Sequence, residues 1–152
     1  MISHVCIGIT EFERALRFYS EIMDVLGLDL KFSEPENSWA GWVGPSSPRP
    51  LFVIGKPYNG QAMHPGNGNM VALLAGDREG VDRAHAAALA MGARCEGPPG
   101  ARPHYHPDYY GAYLRDLDGN KICVCCHDPS ADGPSQSSEV LTLAKTRRPA
   151  RR

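Results

Sequence analysis

The stretch from residue 102 to residue 110 carries the densest set of side chains that could do chemistry. It combines guanidinium, imidazole and phenol groups, at Arg102, His104, His106, Tyr109 and Tyr110, in a loop that Pro103 and Pro107 stiffen. Such groups supply hydrogen-bond donors, acid–base groups and stacking surfaces. We predict that they form one wall or the lid of a site for a small polar or aromatic ligand. Packing of the aromatic rings over the edge of the core is the alternative.

A histidine and several cysteines lie in segments where apolar residues alternate. The alternation places His4 and Cys6 on one face of a strand, and Cys123 and Cys125 on one face of another. His4 could contact a ligand, act as a base or be held by one structural hydrogen bond. The cysteines could bind a soft metal or act as nucleophiles. We favour burial, because a free cysteine commonly behaves as a small hydrophobe.

Composition indicates one globular domain in a reducing compartment. The chain has 152 residues, of which 42% are hydrophobic and 22% are charged, which suffices for a core without disulfides. Three of the cysteines crowd between residues 123 and 126, which does not suit a disulfide framework. We find neither a signal-peptide pattern nor an apolar run of about 20 residues. The expected location is the cytoplasm, without a membrane partner.

The C-terminal segment differs in composition from the rest of the chain. Residues 129–152 are rich in serine and arginine and carry most of their charge as cations, so we predict a disordered basic tail. The remaining residues are acidic on balance, which does not favour nucleic acid as a partner.

Residues 1–128 contain the same order of predicted elements twice. Each half, at about residues 2–54 and 70–127, reads as a strand, an amphipathic helix and three further strands. Thr10 and Glu13 form a capping-box pattern for the first helix, and Asp77 is placed to cap the second. Aligning the halves pairs Trp42 with Tyr113 and Phe52 with Cys123. The repeat predicts a duplication around a shared site.

Three motifs in this order resemble the vicinal oxygen chelate superfamily, which includes glyoxalase, bleomycin-resistance and extradiol-dioxygenase proteins. They are the strand from His4 to Ile9, the helix from Arg14 to Tyr19 and the hairpin from Arg115 to Asn120. The resemblance spans about residues 2–127. It implies an α+β fold of two tandem βαβββ modules, forming a cup-shaped pair of curled mixed sheets with helices outside and a ligand site inside.

The resemblance also implies where a metal would bind. The family draws ligands, usually His, Gln or Glu, from the first and last strand of each half. The matching positions are His4, Phe52, Met70 and Cys123, of which only His4 is a usual ligand. We therefore expect these residues to converge inside the cup as ligand-binding residues, with no metal and no cofactor.

Several functions remain open from the sequence. The leading prediction is small-molecule binding in the cup without the family's usual metal. The first alternative is a metal-dependent lyase, isomerase or dioxygenase with recruited donors such as His104 or His106. The second is a non-catalytic dimerisation domain. The residues do not decide whether the protein is an enzyme, and a homodimer is left open.

Overall fold

The computed structural model describes residues 1–129, so the prediction of a disordered tail falls, apart from Pro129, outside the described residues. Within that range the chain forms two helices, α1 (Phe12–Leu26) and α2 (Arg78–Ala90). The strands of the first half are β1 (His4–Gly8), β2 (Asp29–Glu34), β3 (Trp39–Val43) and β4 (Leu51–Gly55). Those of the second half are β5 (Val71–Leu74), β6 (Arg94–Ala101), β7 (Tyr110–Arg115) and β8 (Lys121–Cys126).

Each half forms its own mixed sheet of four strands. The strand orders are β1-β4-β3-β2 and β5-β8-β7-β6. In each sheet the first and last strands of the half pair in parallel, and the other neighbours are antiparallel. This arrangement confirms the α+β fold of two βαβββ modules.

Each helix lies against one face of the sheet of its own half, and the two helices also contact each other. Helices and sheets together form a single core. One cluster of buried residues contains Tyr19 and Ile22 from α1, Ala84 from α2, and residues of both sheets such as Trp42 and Leu114. The two halves therefore share their hydrophobic interior, as one domain requires. We call the opposite side of each sheet, turned away from the helices, its open face.

The N-terminus of α1 is held by the other half of the molecule. The Thr10–Glu13 capping box is wrong, since no side chain of the segment caps the helix. Instead, Asp118 in the β7–β8 turn accepts the Thr10 backbone N–H at 3.2 Å and pairs with Arg14 at 2.9 Å. A carboxylate at this end of a helix also interacts favourably with the helix dipole. The predicted cap of α2 is confirmed, because Asp77 accepts the Gly80 N–H at 2.6 Å.

The register of the sheets corrects the alignment of the halves. Phe52 lies opposite Val5 on β1, whereas Cys123 lies opposite Ala72 on β5. Val5 corresponds to Val71, which lies opposite Ile122, so Phe52 corresponds to Ile122. A shift of one residue turns a side chain to the other face of a strand. The expected place of Phe52 on the open face is therefore wrong, and Val53 is the counterpart of Cys123.

Neither helix in residues 1–129 combines the length and the apolar character that crossing a membrane requires.

Candidate functional site

A cavity of about 510 Å³ lies on the open face of the second half. Its wall combines tyrosines, a histidine, a methionine and several charged side chains, with part of the segment that joins the halves at one side. The side chains that matter below are Met70, Glu96, Arg102, His104, Tyr105, Tyr113, Arg115 and Lys121.

Glycines in β6 allow the side chains of this wall to approach the backbone closely. A Cβ at Gly97 would lie 2.9 Å from the Tyr113 ring, and one at Gly100 would lie 2.8 Å from the Arg102 guanidinium. Arg102 also donates to the Pro98 carbonyl at 2.8 Å, and its guanidinium carbon lies 5.8 Å from the centre of the Tyr113 ring. The register shifts along β6 are of the kind that bends a strand beside a site. Arg102 is thus held in place by backbone and ring together.

The charges of the cavity wall are unbalanced toward the positive. Glu96 is bound by Arg115 at 2.9 Å and Lys121 at 3.5 Å, and the Arg115 hydrogen bond is the main cause that keeps the Glu96 pKa below its usual range. Arg102 forms no ion pair with a carboxylate among residues 1–129. The three cations outnumber the one carboxylate by two. The field in the cavity therefore favours an anionic group.

A second group of reactive side chains lies on the same open face, nearer the end of β8. We call it the cysteine–histidine cluster, and it consists of His106, Tyr109, Cys123, Cys125 and His127. The His106 Nε2 and His127 Nδ1 atoms are 2.7 Å apart, and the His127 Nε2 lies 3.8 Å from the Cys125 Sγ. The Tyr109 hydroxyl lies 3.5 Å from the Cys123 Sγ. Gly111 makes room, because a Cβ there would lie 2.9 Å from the Tyr109 ring.

The hydrogen bonds of the cluster determine the tautomers of both neutral histidines. The Asp108 backbone N–H donates to the His106 Nδ1 at 3.3 Å, so the proton of that ring is on Nε2. His106 then donates to the His127 Nδ1, which leaves the His127 proton on Nε2, directed at the Cys125 sulfur. A neutral imidazole has one donor and one acceptor nitrogen. This series of hydrogen bonds therefore ends with the His127 Nε2–H group, which faces the Cys125 sulfur.

The two thiols of the cluster differ in acidity. The hydrogen bond from the Cys123 thiol, followed by Tyr109 and the nearby His127, lowers the pKa of Cys125 to about 6 despite its burial. The same bond to Cys125, together with burial, raises the pKa of Cys123. Burial also raises the pKa of Tyr109. Cys125 is therefore the more acidic of the two thiols.

The structure divides the residues that the sequence proposed as one site between two adjacent groups, whose Tyr105 and Tyr109 rings lie 4.9 Å apart, and three outlying positions. Met70, Arg102 and His104 line the cavity, whereas His106, Tyr109 and Cys123 belong to the cluster. Three others lie apart from both groups and are considered next, namely His4, Phe52 and Tyr110.

The outlying residues have ordinary contacts. His4 is exposed on β1 and lies 3.2 Å from the Ser3 hydroxyl. Phe52 is buried beside Tyr19, with their ring centres 5.1 Å apart. Tyr110 donates to Asp82 of α2 at 2.8 Å. The predicted convergence of the four family positions is thus wrong for Phe52, and the expected place of Tyr110 in the cup wall is wrong because its ring faces a helix.

Sequence reasoning missed most of the charged wall of the cavity. Tyr113, Arg115 and Lys121 share the open face with Cys123. The alternation of side chains along β7 predicts that Tyr113 lies on the open face. The alignment of Tyr113 with the buried Trp42 obscured this prediction. The ion pairs of Glu96 join β6 to Arg115 of β7 and to Lys121 of β8, and no local sequence pattern predicts them.

A model of the Glyoxalase/Bleomycin resistance protein/Dioxygenase superfamily matches residues 1–124. The chain belongs to this superfamily. No curated protein matches the chain, but solved structures do. A glyoxalase/bleomycin resistance protein from Albidiferax ferrireducens T118 is 37% identical over 83% of this chain and 98% of that one, with a TM-score of 0.74. A glyoxalase-related enzyme from Fulvimarina pelagi is 20% identical, over 88% of this chain and 94% of the other, with a TM-score of 0.64.

The metal centre that the superfamily implies does not fit the residues of this chain. With the corrected register, the four positions hold His4, Val53, Met70 and Cys123, and Val53 has no donor atom. Met70 offers only a thioether and Cys123 only a sulfur, neither of which is among the superfamily's usual His, Gln or Glu ligands. Among residues 1–129, no three or more His, Cys, Asp or Glu side chains are grouped so that they could hold a metal ion.

Proposed function

We propose that the protein binds a small molecule with an aromatic ring and an acidic group in the cavity of the second half. The proposal includes no role for the superfamily's usual metal. The observation that carries it is the position of Arg102, a fixed cation beside Tyr113 at the wall of the cavity.

Size and lining support a small ligand. A volume of about 510 Å³ lies within the range of about 300–1,000 Å³ that small-molecule sites occupy. Tyr105 is exposed, and its ring lies 4.3 Å from that of His104. These rings offer stacking surfaces, and Met70 adds an adaptable apolar contact.

Charge supports an acidic ligand over a neutral or cationic one. Arg102 presents a planar guanidinium, which suits a carboxylate or phosphate. Its bonds to the Pro98 and Ala101 carbonyls hold it before a ligand arrives, so less side-chain entropy is lost on binding. The remaining alternative functions from the sequence have no comparable observation in their favour.

The first prediction tests the charge preference with three related probes. Benzoate, benzamide and benzylammonium are titrated against the full chain by calorimetry or ligand-observed NMR. Benzoate should bind best, and Arg102→Gln should weaken benzoate by about 1 kcal/mol, or about fivefold, because one cation is lost. Lys56→Gln is the matched control, since it removes a cation from the open face of the first half. Equal binding of benzylammonium, or an equal effect of Lys56→Gln, would refute the proposal.

The second prediction concerns His104 in the cavity wall. His104→Ala should weaken benzoate binding by about 1–3 kcal/mol if the ring donates to the ligand, with little change in the free energy of unfolding. Calorimetry and chemical denaturation measure the two effects separately. Lost stability with unchanged binding would assign the ring to packing instead.

A further inference from the structure

One series of hydrogen bonds ends at the sulfur of Cys125, outside the ligand cavity. It runs from the Asp108 backbone through His106 and His127 to the Sγ. Cys123 lies two residues earlier on the same face of β8, and its sulfur lies 3.5 Å from the Tyr109 hydroxyl. A hydrogen-bond donor directed at a sulfur stabilises the thiolate over the thiol.

The consequence is a nucleophile at neutral pH. With its pKa lowered to about 6, Cys125 is mostly thiolate at pH 7. An ordinary cysteine, with a pKa of about 8.5, is only a few per cent thiolate there, so the difference in reactive form is about thirtyfold. The thiolate is the form that reacts with electrophiles and oxidants.

We propose that Cys125 is an oxidation site for hydroperoxides, set up by the His106–His127 pair. The thiolate sulfur attacks the terminal peroxide oxygen, an S–O bond forms and the O–O bond breaks. Sulfur loses two electrons and the peroxide gains them. The alkoxide or hydroxide that leaves takes a proton from water, and the product is a sulfenic acid at Cys125.

The burial of the Cys125 sulfur favours a small oxidant, and the position of Cys125 on the strand favours a sulfenic acid as the product. Cys125 is only 3% exposed, but His127, whose Nε2 lies 3.8 Å from the sulfur, is on the surface. Only the His127 ring therefore lies between the sulfur and solvent.

Residues two apart on a strand, such as Cys123 and Cys125, have Cα atoms about 6.6–6.8 Å apart. This distance is at the outer limit of about 6.8 Å for a disulfide. A bond to Cys123 is thus disfavoured, and the sulfenic acid is the expected end point.

The chain supplies its own controls, because Cys6 and Cys95 are exposed whereas Cys125 is buried. The reduced full-length protein is treated with less than one equivalent of hydrogen peroxide, and dimedone traps the sulfenic acid. Peptide mass spectrometry then reports the label on each cysteine. We expect the label mainly on Cys125, with a rate that levels off above about pH 7, while the rate at Cys6 continues to rise at higher pH because burial raises the pKa of that thiol.

Histidine variants test whether the reactivity of Cys125 depends on the His106–His127 pair or only on the accessibility of its sulfur. His127→Ala should slow labelling of Cys125 about tenfold, since the N–H donor is lost, and His106→Ala should slow it less. His4→Ala, which changes an exposed histidine far from the cluster, should have no effect, and circular dichroism checks the fold of each variant. Labelling first at Cys6 or Cys95, a faster reaction in His127→Ala, or a disulfide in place of the sulfenic acid would overturn the proposal.

Discussion

At the scale of single residues, Tyr19 and Asp116 join the two halves inside the core. The Tyr19 hydroxyl donates to Asp116 at 2.6 Å, and burial together with this carboxylate raises the Tyr19 pKa well above its usual value. Asp116 also accepts the backbone N–H groups of Asp118 and Asn120, and Asn120 donates to the Gly8 carbonyl. The hairpin turn is therefore bound to both α1 and β1.

The third prediction removes one hydroxyl from this network. Tyr19→Phe should lower the free energy of unfolding by about 1–3 kcal/mol, because it deprives a buried carboxylate of a donor. Urea denaturation at constant pH measures the change. Tyr58→Phe serves as the control, since Tyr58 is fully exposed. Equal stability of the two variants would show that Asp116 does not need the bond.

The cysteine–histidine cluster also belongs to this scale, and the sequence revealed only part of it. Alternation along β8 placed Cys123 and Cys125 on one face correctly. It did not predict that His106 and His127, 21 residues apart, would bond to each other. That contact depends on the course of the loop between β6 and β7, which no periodicity encodes.

At the scale of elements, α1 depends on a turn in the other half for its N-terminal contacts. The fourth prediction compares substitutions of the two residues that make this contact, Asp118 in the turn and Thr10 before the helix. Asp118→Ala should cost about 1 kcal/mol of stability, because it removes the hydrogen bond from the Thr10 N–H, the ion pair with Arg14 and a favourable charge at the helix N-terminus. Thr10→Ala should cost much less, because the Thr10 side chain caps nothing and only its backbone N–H is bound. Denaturant titration of both variants decides, and a larger loss in Thr10→Ala would restore the capping box.

At the scale of the whole molecule, residues 1–129 already contain a shared core, so we expect the rest of the chain to add little stability. The fifth prediction is that truncation after Pro129 changes the melting temperature by only a few degrees, as measured by calorimetry. A large drop would mean that the apolar residues around Val140 dock on the domain or on a second copy. Sedimentation of both forms would also test for a homodimer, which the sequence leaves open. The cytoplasmic location stays a prediction.

The sequence by itself determined the order of the helices and strands in each half. Helix and strand periods are local properties, which is why each half was predicted as a strand, a helix and three further strands, the order that the structure shows. The three motifs also sufficed to indicate the superfamily, since each lies within one element or turn.

Only the tertiary structure decided which side chains meet. The pairing of β4 with β1 turned Phe52 into the core and Val53 to the open face, and the contact of Tyr110 with Asp82 drew that ring to α2. Asp118 reaches Thr10 across 108 positions of sequence. Such contacts depend on strand register and on the packing of distant segments. A shift of one residue reverses a strand's faces, and a single sequence contains no local signal that prevents that error.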